Sequence, residues 1–90
     1  MLDFLRQADI NDIDLERINT CYDDAMKYNL HINAENCLGI ILYLKKKGIK
    51  NIEDLLIDKP EWFLKTTNEF INMIESNKNL INSINNYYDN

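Results

Sequence analysis

The sequence predicts an all-α fold, a compact bundle of roughly five to seven short helices in a single domain, 1–90. Apolar residues recur at the three- and four-residue spacing of a helix, and no stretch alternates long enough with the two-residue period of a strand. The length suits one hydrophobic core. The composition, 46% hydrophobic and 28% charged, is typical of a globular domain rather than a disordered chain.

The N-terminal third is predicted to hold a short helix that ends near Ala8 and Asp9, followed by a long helix from Asp12 to Asn29. The long helix is predicted from one apolar stripe at helical spacing. That stripe consists of Ile18, Cys21, Tyr22, Ala25 and Met26.

The third predicted helix, 34–47, is expected at the centre of the bundle because its middle is apolar on nearly every side. Asn33 is a suitable N-cap, and Gly48 is a suitable left-handed residue after the helix end. Gly39 lies inside the helix, where it indicates close packing against a neighbouring helix.

The C-terminal half is predicted to form shorter elements. A helix over 51–57 is followed by a short helical piece that begins at Pro60, since proline is favoured in a first helical turn. Thr67 is the candidate N-cap of the next helix, and a last helix begins at Asn79. These elements would complete the shell around the third helix.

Three short phrases, which begin at residues 9, 29 and 48, share one pattern. Each has a residue that tolerates a left-handed backbone, an apolar residue, and then a helix N-cap followed by an acid. The pattern fits an ordinary helix–turn–helix corner, or alternatively a degenerate helix-turn-helix repeat stacked as a short solenoid. The apolar anchors, 20 and 19 residues apart, are Ile10, Leu30 and Ile49.

The segment 44–74 carries Leu44, Gly48-Ile49, Glu53-Asp54-Leu55, Pro60 and Phe63-Leu64. With these pieces, about a third of the chain resembles a helical repeat of the mitochondrial transcription terminator type. The resemblance implies a helical-repeat fold and a family of basic, many-repeat nucleic-acid binders. Because this chain is short and acidic, we carry no function over from that family.

Charge is distributed unevenly around a formal net charge of −5. Residues 1–44 carry eight acids against three bases, whereas residues 45–90 carry seven of each. An acidic half repels phosphate and favours a basic partner. Exposed aromatic residues add a second interface signal, although core packing is the alternative for them. The candidate partner surface is therefore Asp12, Asp14, Glu16, Asp23, Asp24, Trp62, Tyr87 and Tyr88.

The only basic cluster supports an alternative, a small DNA-binding regulator. Its candidate phosphate contacts are Lys45, Lys46, Lys47 and Lys50. The same lysines are well placed to interact with the negative end of the third helix dipole. The helix that would enter the major groove carries three acids, Glu53, Asp54 and Asp58, which oppose DNA binding.

Candidate catalytic and metal-binding residues are few. Cys21 and Cys37 are expected as buried thiols because each lies among apolar residues at helical spacing, and His31 is expected as a solvated turn residue. The spacing of these three residues does not match a zinc site. The acidic pairs Asp23-Asp24 and Glu53-Asp54 are expected on solvated helix faces. The chain has no glycine-rich phosphate loop and no nucleophile with a histidine partner, so we predict no enzyme activity, no metal and no cofactor.

Together these observations predict a small, acidic, non-enzymatic protein–protein interaction module, acting as a regulator, an inhibitor or a self-associating subunit. The expected partner is another protein with a basic surface, and homo-oligomerisation stays open as an alternative. Nucleic acid is disfavoured, and neither a membrane span nor a signal peptide is recognised, so the expected location is the cytoplasm. The abundance of Asn, Ile, Lys and Tyr is typical of an AT-rich bacterial or phage genome.

Overall fold

The computed structural model describes the backbone of residues 1–89 and the side chains of residues 1–87, and all of its regular elements are helices, which confirms the predicted all-α fold. Among these residues, none of the helices combines the length and apolar character that crossing a bilayer demands. The 3-10 helices are η1 (Asp3–Ala8) and η2 (Pro60–Leu64). The α-helices are α1 (Asp12–Cys21), α2 (Asp24–Ile32), α3 (Ala34–Lys46), α4 (Ile52–Asp58), α5 (Thr67–Ser76) and α6 (Leu80–Asp89).

Helix α3 lies at the centre of the fold, as predicted. It packs against η1, α2, α4, η2 and α5. Its inward-facing side chains are almost completely shielded from solvent: Cys37, Ile40, Ile41 and Leu44. Burial of an aliphatic side chain contributes about 1.5–3 kcal/mol, so Ile40, Ile41 and Leu44 each stabilise the fold substantially.

The single helix predicted from Asp12 to Asn29 is wrong, because the chain breaks between α1 and α2. Tyr22 has an extended backbone (φ −96°, ψ 137°), and Asp23 is the N-cap of α2. The Asp23 carboxylate accepts a hydrogen bond from the backbone N–H of Met26 at 2.8 Å. Such a side-chain bond competes with helix continuation and favours a new helix start.

The break divides the predicted apolar stripe. Ile18 and Tyr22 are buried, whereas Cys21 and Ala25 are exposed. The Tyr22 hydroxyl donates a hydrogen bond of 2.5 Å to the carbonyl of Leu56, which joins the end of α1 to α4. Burial raises the pKa of Tyr22 above its usual value.

Two predicted N-caps have other roles in the structure. Thr66, not Thr67, caps α5, in a capping box completed by Glu69. The Thr66 hydroxyl accepts from the Glu69 N–H, and the Glu69 carboxylate accepts from the Thr66 N–H, both at 3.1 Å. These bonds to Thr66 lower the pKa of Glu69 below its usual value.

Asn33 precedes α3 as predicted, but its side chain makes no capping hydrogen bond. Its amide instead donates to the backbone carbonyls of Phe63 and Lys65, each at 3.0 Å. The side chain therefore fixes the end of η2 against the start of α3, rather than satisfying the first turn of its own helix.

The repeated phrase corresponds to two matching corners rather than three. Asp9 (φ 63°) and Gly48 (φ 88°) both have a left-handed backbone. In each corner the next apolar residue returns a hydrogen bond to the preceding helix, from Ile10 to Leu5 (3.4 Å) and from Ile49 to Leu44 (3.0 Å). The corresponding Asn29 lies inside α2 and has no such conformation. The two corners are C-terminal caps of the Schellman type.

We predict that Gly48→Val lowers the free energy of unfolding by about 2 kcal/mol, because a β-branched residue is strained at positive φ. A Cβ atom at this position meets no atom within 4 Å beyond its two chain neighbours, so we attribute the loss to backbone strain. Chemical denaturation measures it. The control, Gly48→Asn, should cost less than about 1 kcal/mol because asparagine tolerates this conformation. Equal losses for both variants would contradict the interpretation.

Close packing at Gly39 is confirmed, since a Cβ atom there would lie 2.7 Å from Thr67 Oγ1. We therefore expect Gly39→Ala to destabilise the protein by about 1–3 kcal/mol through overpacking. In a Thr67→Ala background the nearest remaining atom is Thr67 Cβ at 3.5 Å, and the loss should shrink. A double-mutant cycle by denaturation should give a coupling of at least about 1 kcal/mol. Additive losses would argue against this contact.

Candidate functional site

An open groove lies along the outer side of α1, next to α4, and we name it the α1–α4 groove. Its volume is about 690 Å³. Ile13 forms the most prominent apolar wall, because 77% of its surface is exposed. Ile57 of α4 contributes a half-buried aliphatic side chain. The residues that line the groove are Asp12, Ile13, Glu16, Arg17, Thr20, Cys21 and Ile57.

Helical geometry explains why α1 presents this face. From Ile13 onward, the groove-lining residues of α1 follow the i, i+3, i+4, i+7 and i+8 spacing, which places them on one side of the helix. Leu15 and Ile18 point to the opposite side and are buried. Helix α1 thus carries apolar side chains on two faces, and only one of them is covered.

Arg17 connects the two helices of the groove. Its guanidinium donates to the carboxylates of Asp14 on α1 and Asp54 on α4, each at 3.0 Å. The hydrogen bond to Asp54, and then that to Asp14, raises the pKa of Arg17 above its usual value. The cation at the groove is therefore matched by two carboxylates.

The groove is net acidic even when its ion pairs are included. Asp12 forms an ion pair with Arg6 at 2.6 Å, and Glu16 lies exposed on the groove wall. The charged side chains that line the groove, together with their ion-pair partners, comprise two guanidinium groups and four carboxylates, a formal charge of −2. They are Arg6, Arg17, Asp12, Asp14, Glu16 and Asp54.

The predicted acidic surface is only partly assembled at this groove. Asp12 and Glu16 line it, and Asp14 reaches it through Arg17. Asp23 is used to cap α2, and Asp24 is exposed in the first turn of that helix. The residues that sequence reasoning missed are the apolar ones, above all Ile13. The sequence could have indicated this, because an isoleucine two residues before Leu15 in a helix lies away from the face that Leu15 buries.

Two of the predicted aromatic residues, Trp62 and Tyr87, line a second groove of about 430 Å³, which also contains Leu55 and Ile84. Trp62 is half-buried and packs against Phe70, with ring centroids 6.1 Å apart. Tyr87 is 73% exposed, and the side chain of Tyr88 lies outside the described residues. The acidic and aromatic residues therefore line separate grooves rather than a single one.

The lysine cluster is partly engaged within the fold. Lys45 donates a 2.6 Å hydrogen bond to the carbonyl of Ala8 and lies 3.6 Å from the Asp9 carboxylate. Lys47 lies 3.6 Å from the Glu75 carboxylate and 5.4 Å from the centre of the Tyr43 ring. The two remaining members, Lys46 and Lys50, are exposed.

The expectation of two buried thiols is wrong for one of them. Cys37 is buried in the core, whereas Cys21 is exposed at the end of α1, on the face that lines the α1–α4 groove. His31 Nδ1 lies 3.2 Å from the backbone oxygen of Met1. Within the part of the chain that the structure describes, no three His, Cys, Asp or Glu side chains come together to hold a metal ion.

We predict that the two thiols of the native protein differ sharply in reactivity with a colorimetric disulfide reagent at roughly pH 8. Cys21 should react at once because it is exposed, and Cys37 should react only after denaturation. Burial raises the pKa of Cys37 to about 12, so little of its nucleophilic thiolate forms in the folded state. The control is Cys21→Ser, which should abolish the fast phase. Two fast thiols in the native protein would contradict the structure.

Comparison of the chain with protein-family models, with curated proteins and with solved structures finds no match.

Proposed function

We propose that this chain is a small, acidic, non-enzymatic protein–protein interaction module and that it binds its partner at the α1–α4 groove. The supporting observation is the exposure of Ile13 (77%) beside Ile57, in an open groove on a helix that is already packed on its other face. Apolar side chains gathered in one exposed groove are typical of surfaces that bind another protein. The acidic rim of the groove, formed by Asp12 and Glu16, supports specific binding rather than non-specific apolar association.

Within this class, the proposed role is that of a regulator, an inhibitor or a self-associating subunit. We place it in the cytoplasm of a bacterium, encoded by the bacterium or by its phage. The abundance of Asn, Ile, Lys and Tyr supports the proposed source. A DNA-binding regulator is less well supported, because Lys45 and Lys47 already pair with Asp9 and Glu75. A mobility-shift assay with duplex DNA at low salt separates the two classes.

The protein–protein proposal predicts that a partner depends on Ile13. Wild-type protein and an Ile13→Ser variant are each used to capture proteins from a lysate of the source organism, and quantitative mass spectrometry compares the captured sets. Because Ile13 is largely exposed, the substitution should leave the melting temperature nearly unchanged. A partner that binds at the groove should be captured at least about tenfold less by the variant, since the interface loses a buried aliphatic side chain.

The matched control is Ile32→Ser. Ile32 is 65% exposed and lies on α2, outside the α1–α4 groove. Capture of the partner should be the same for this variant and for wild type. If no protein is captured in an Ile13-dependent manner, or if both variants lose the same proteins, binding at this groove is refuted.

A further inference from the structure

We propose that the α1–α4 groove binds the apolar face of a lysine- or arginine-rich amphipathic helix, an inference that rests on the proposed function and names the chemistry of its partner. Two independent features of the groove support it. One is the shape and apolar character of its walls, and the other is the sign of the charge around them.

The walls suit a helix. Helix α1 has ten residues and is therefore about 15 Å long, so a partner helix can contact the groove over about three turns. Ile13 lies near one end of α1 and Cys21 at the other, with Ile57 across from them on α4. An amphipathic helix that lays its i, i+3, i+4 and i+7 side chains into an apolar groove is a recurrent mode of peptide recognition.

The rim selects a cationic helix. Among the charged residues that line the groove and their ion-pair partners, four carboxylates outnumber two guanidinium groups, and the side chain of Glu16 is exposed on the wall. Lysine or arginine residues that flank the apolar face of a bound helix would lie within reach of Glu16 and Asp12. Complementary charge of this kind accelerates association and disfavours wrong partners.

The same charge argues against a second copy of this chain in the groove. Two copies would each bring a formal net charge of −5, and acidic rims would face each other across the interface. Like charges opposed across an interface are costly. Anionic polymers and anionic lipid surfaces are disfavoured for the same reason.

The test uses three synthetic, fluorescein-labelled peptides of about 14 residues, long enough for the three turns beside α1. The first, the Lys peptide, has leucines at i, i+3, i+4 and i+7 and lysines on the flanks. The second replaces the lysines with glutamates, and the third keeps the composition of the Lys peptide but breaks the leucine spacing. Fluorescence anisotropy at low salt measures the Kd of each peptide for the intact protein.

We expect the Lys peptide to bind at least about tenfold more tightly than either of the other two. Ile13→Ser should raise its Kd about tenfold, whereas Ile32→Ser should leave it unchanged. Glu16→Gln should raise the Kd about threefold at low salt and less at high salt, because screening removes the contribution of the lost charge. Circular dichroism confirms that each variant is folded.

Cys21 locates the bound peptide independently of any substitution, since its thiol lies in the groove and is exposed. The Lys peptide should slow modification of Cys21 by the disulfide reagent at least about fivefold at saturation. The scrambled peptide, at the same concentration, should not slow it. Protection with the first peptide and none with the scrambled one places the amphipathic helix at this groove.

Equal affinity for the three peptides, full Cys21 reactivity in the presence of bound Lys peptide, or insensitivity to Ile13→Ser would each overturn the inference. Dimerisation in sedimentation equilibrium that is lost in Ile13→Ser would overturn it in favour of a second copy. If a protein is captured in an Ile13-dependent manner but the Lys peptide does not bind, the proposed function stands and the inference of a cationic amphipathic helix is rejected. If the Lys peptide binds as expected but capture finds no Ile13-dependent protein, the proposed function fails and the binding chemistry of the groove stands.

Discussion

The burial of α3 is the constraint on which the rest of the fold depends. A helix with Cys37, Ile40, Ile41 and Leu44 shielded from solvent must be covered by several neighbours, and five elements pack against it. At Gly39 the start of α5 approaches α3 so closely that a Cβ atom would be 2.7 Å from Thr67 Oγ1. Helix α1, by contrast, packs chiefly on α4. It belongs to an outer layer, which explains why one of its faces stays uncovered.

Asparagine side chains connect the elements around α3. The Asn33 amide donates to two carbonyls at the end of η2, and Asn36 Oδ1 accepts from the Thr67 N–H at 3.0 Å and from its hydroxyl at 3.1 Å. Asn11 caps α1 by accepting from the Asp14 N–H. Such bonds satisfy backbone groups that helix termini leave without partners. The many asparagines of this chain therefore include residues with defined structural roles.

The sequence allowed the central helix, the helix over 51–57 and the left-handed Gly48 to be predicted, because each depends on a local pattern. The break at Tyr22 was missed because apolar residues on both sides of it follow one helical period, and capping by Asp23 outweighs that continuity. Thr66 and Thr67 are both good N-caps, and the choice between them depends on a contact of Thr67 with Asn36, 31 residues away. The groove could not be predicted for the same reason. It requires α1 and α4 side by side, an arrangement made by side chains 34 and 37 residues apart in the chain.

The two connections between α1 and α4 differ in what they contribute to the groove. The Arg17–Asp54 pair is exposed, and such pairs contribute little to stability. The hydrogen bond from the buried Tyr22 hydroxyl to Leu56 is the firmer connection, since a buried polar group left without a partner is costly. Tyr22 lies at the break between the two helices, where Asp23 caps α2, and Cys21 lies next to it, exposed at the end of the groove. Local capping thus helps to shape the groove. Because the groove is already formed by folded helices, no disordered segment has to fold on binding, and the ordering cost of binding is reduced.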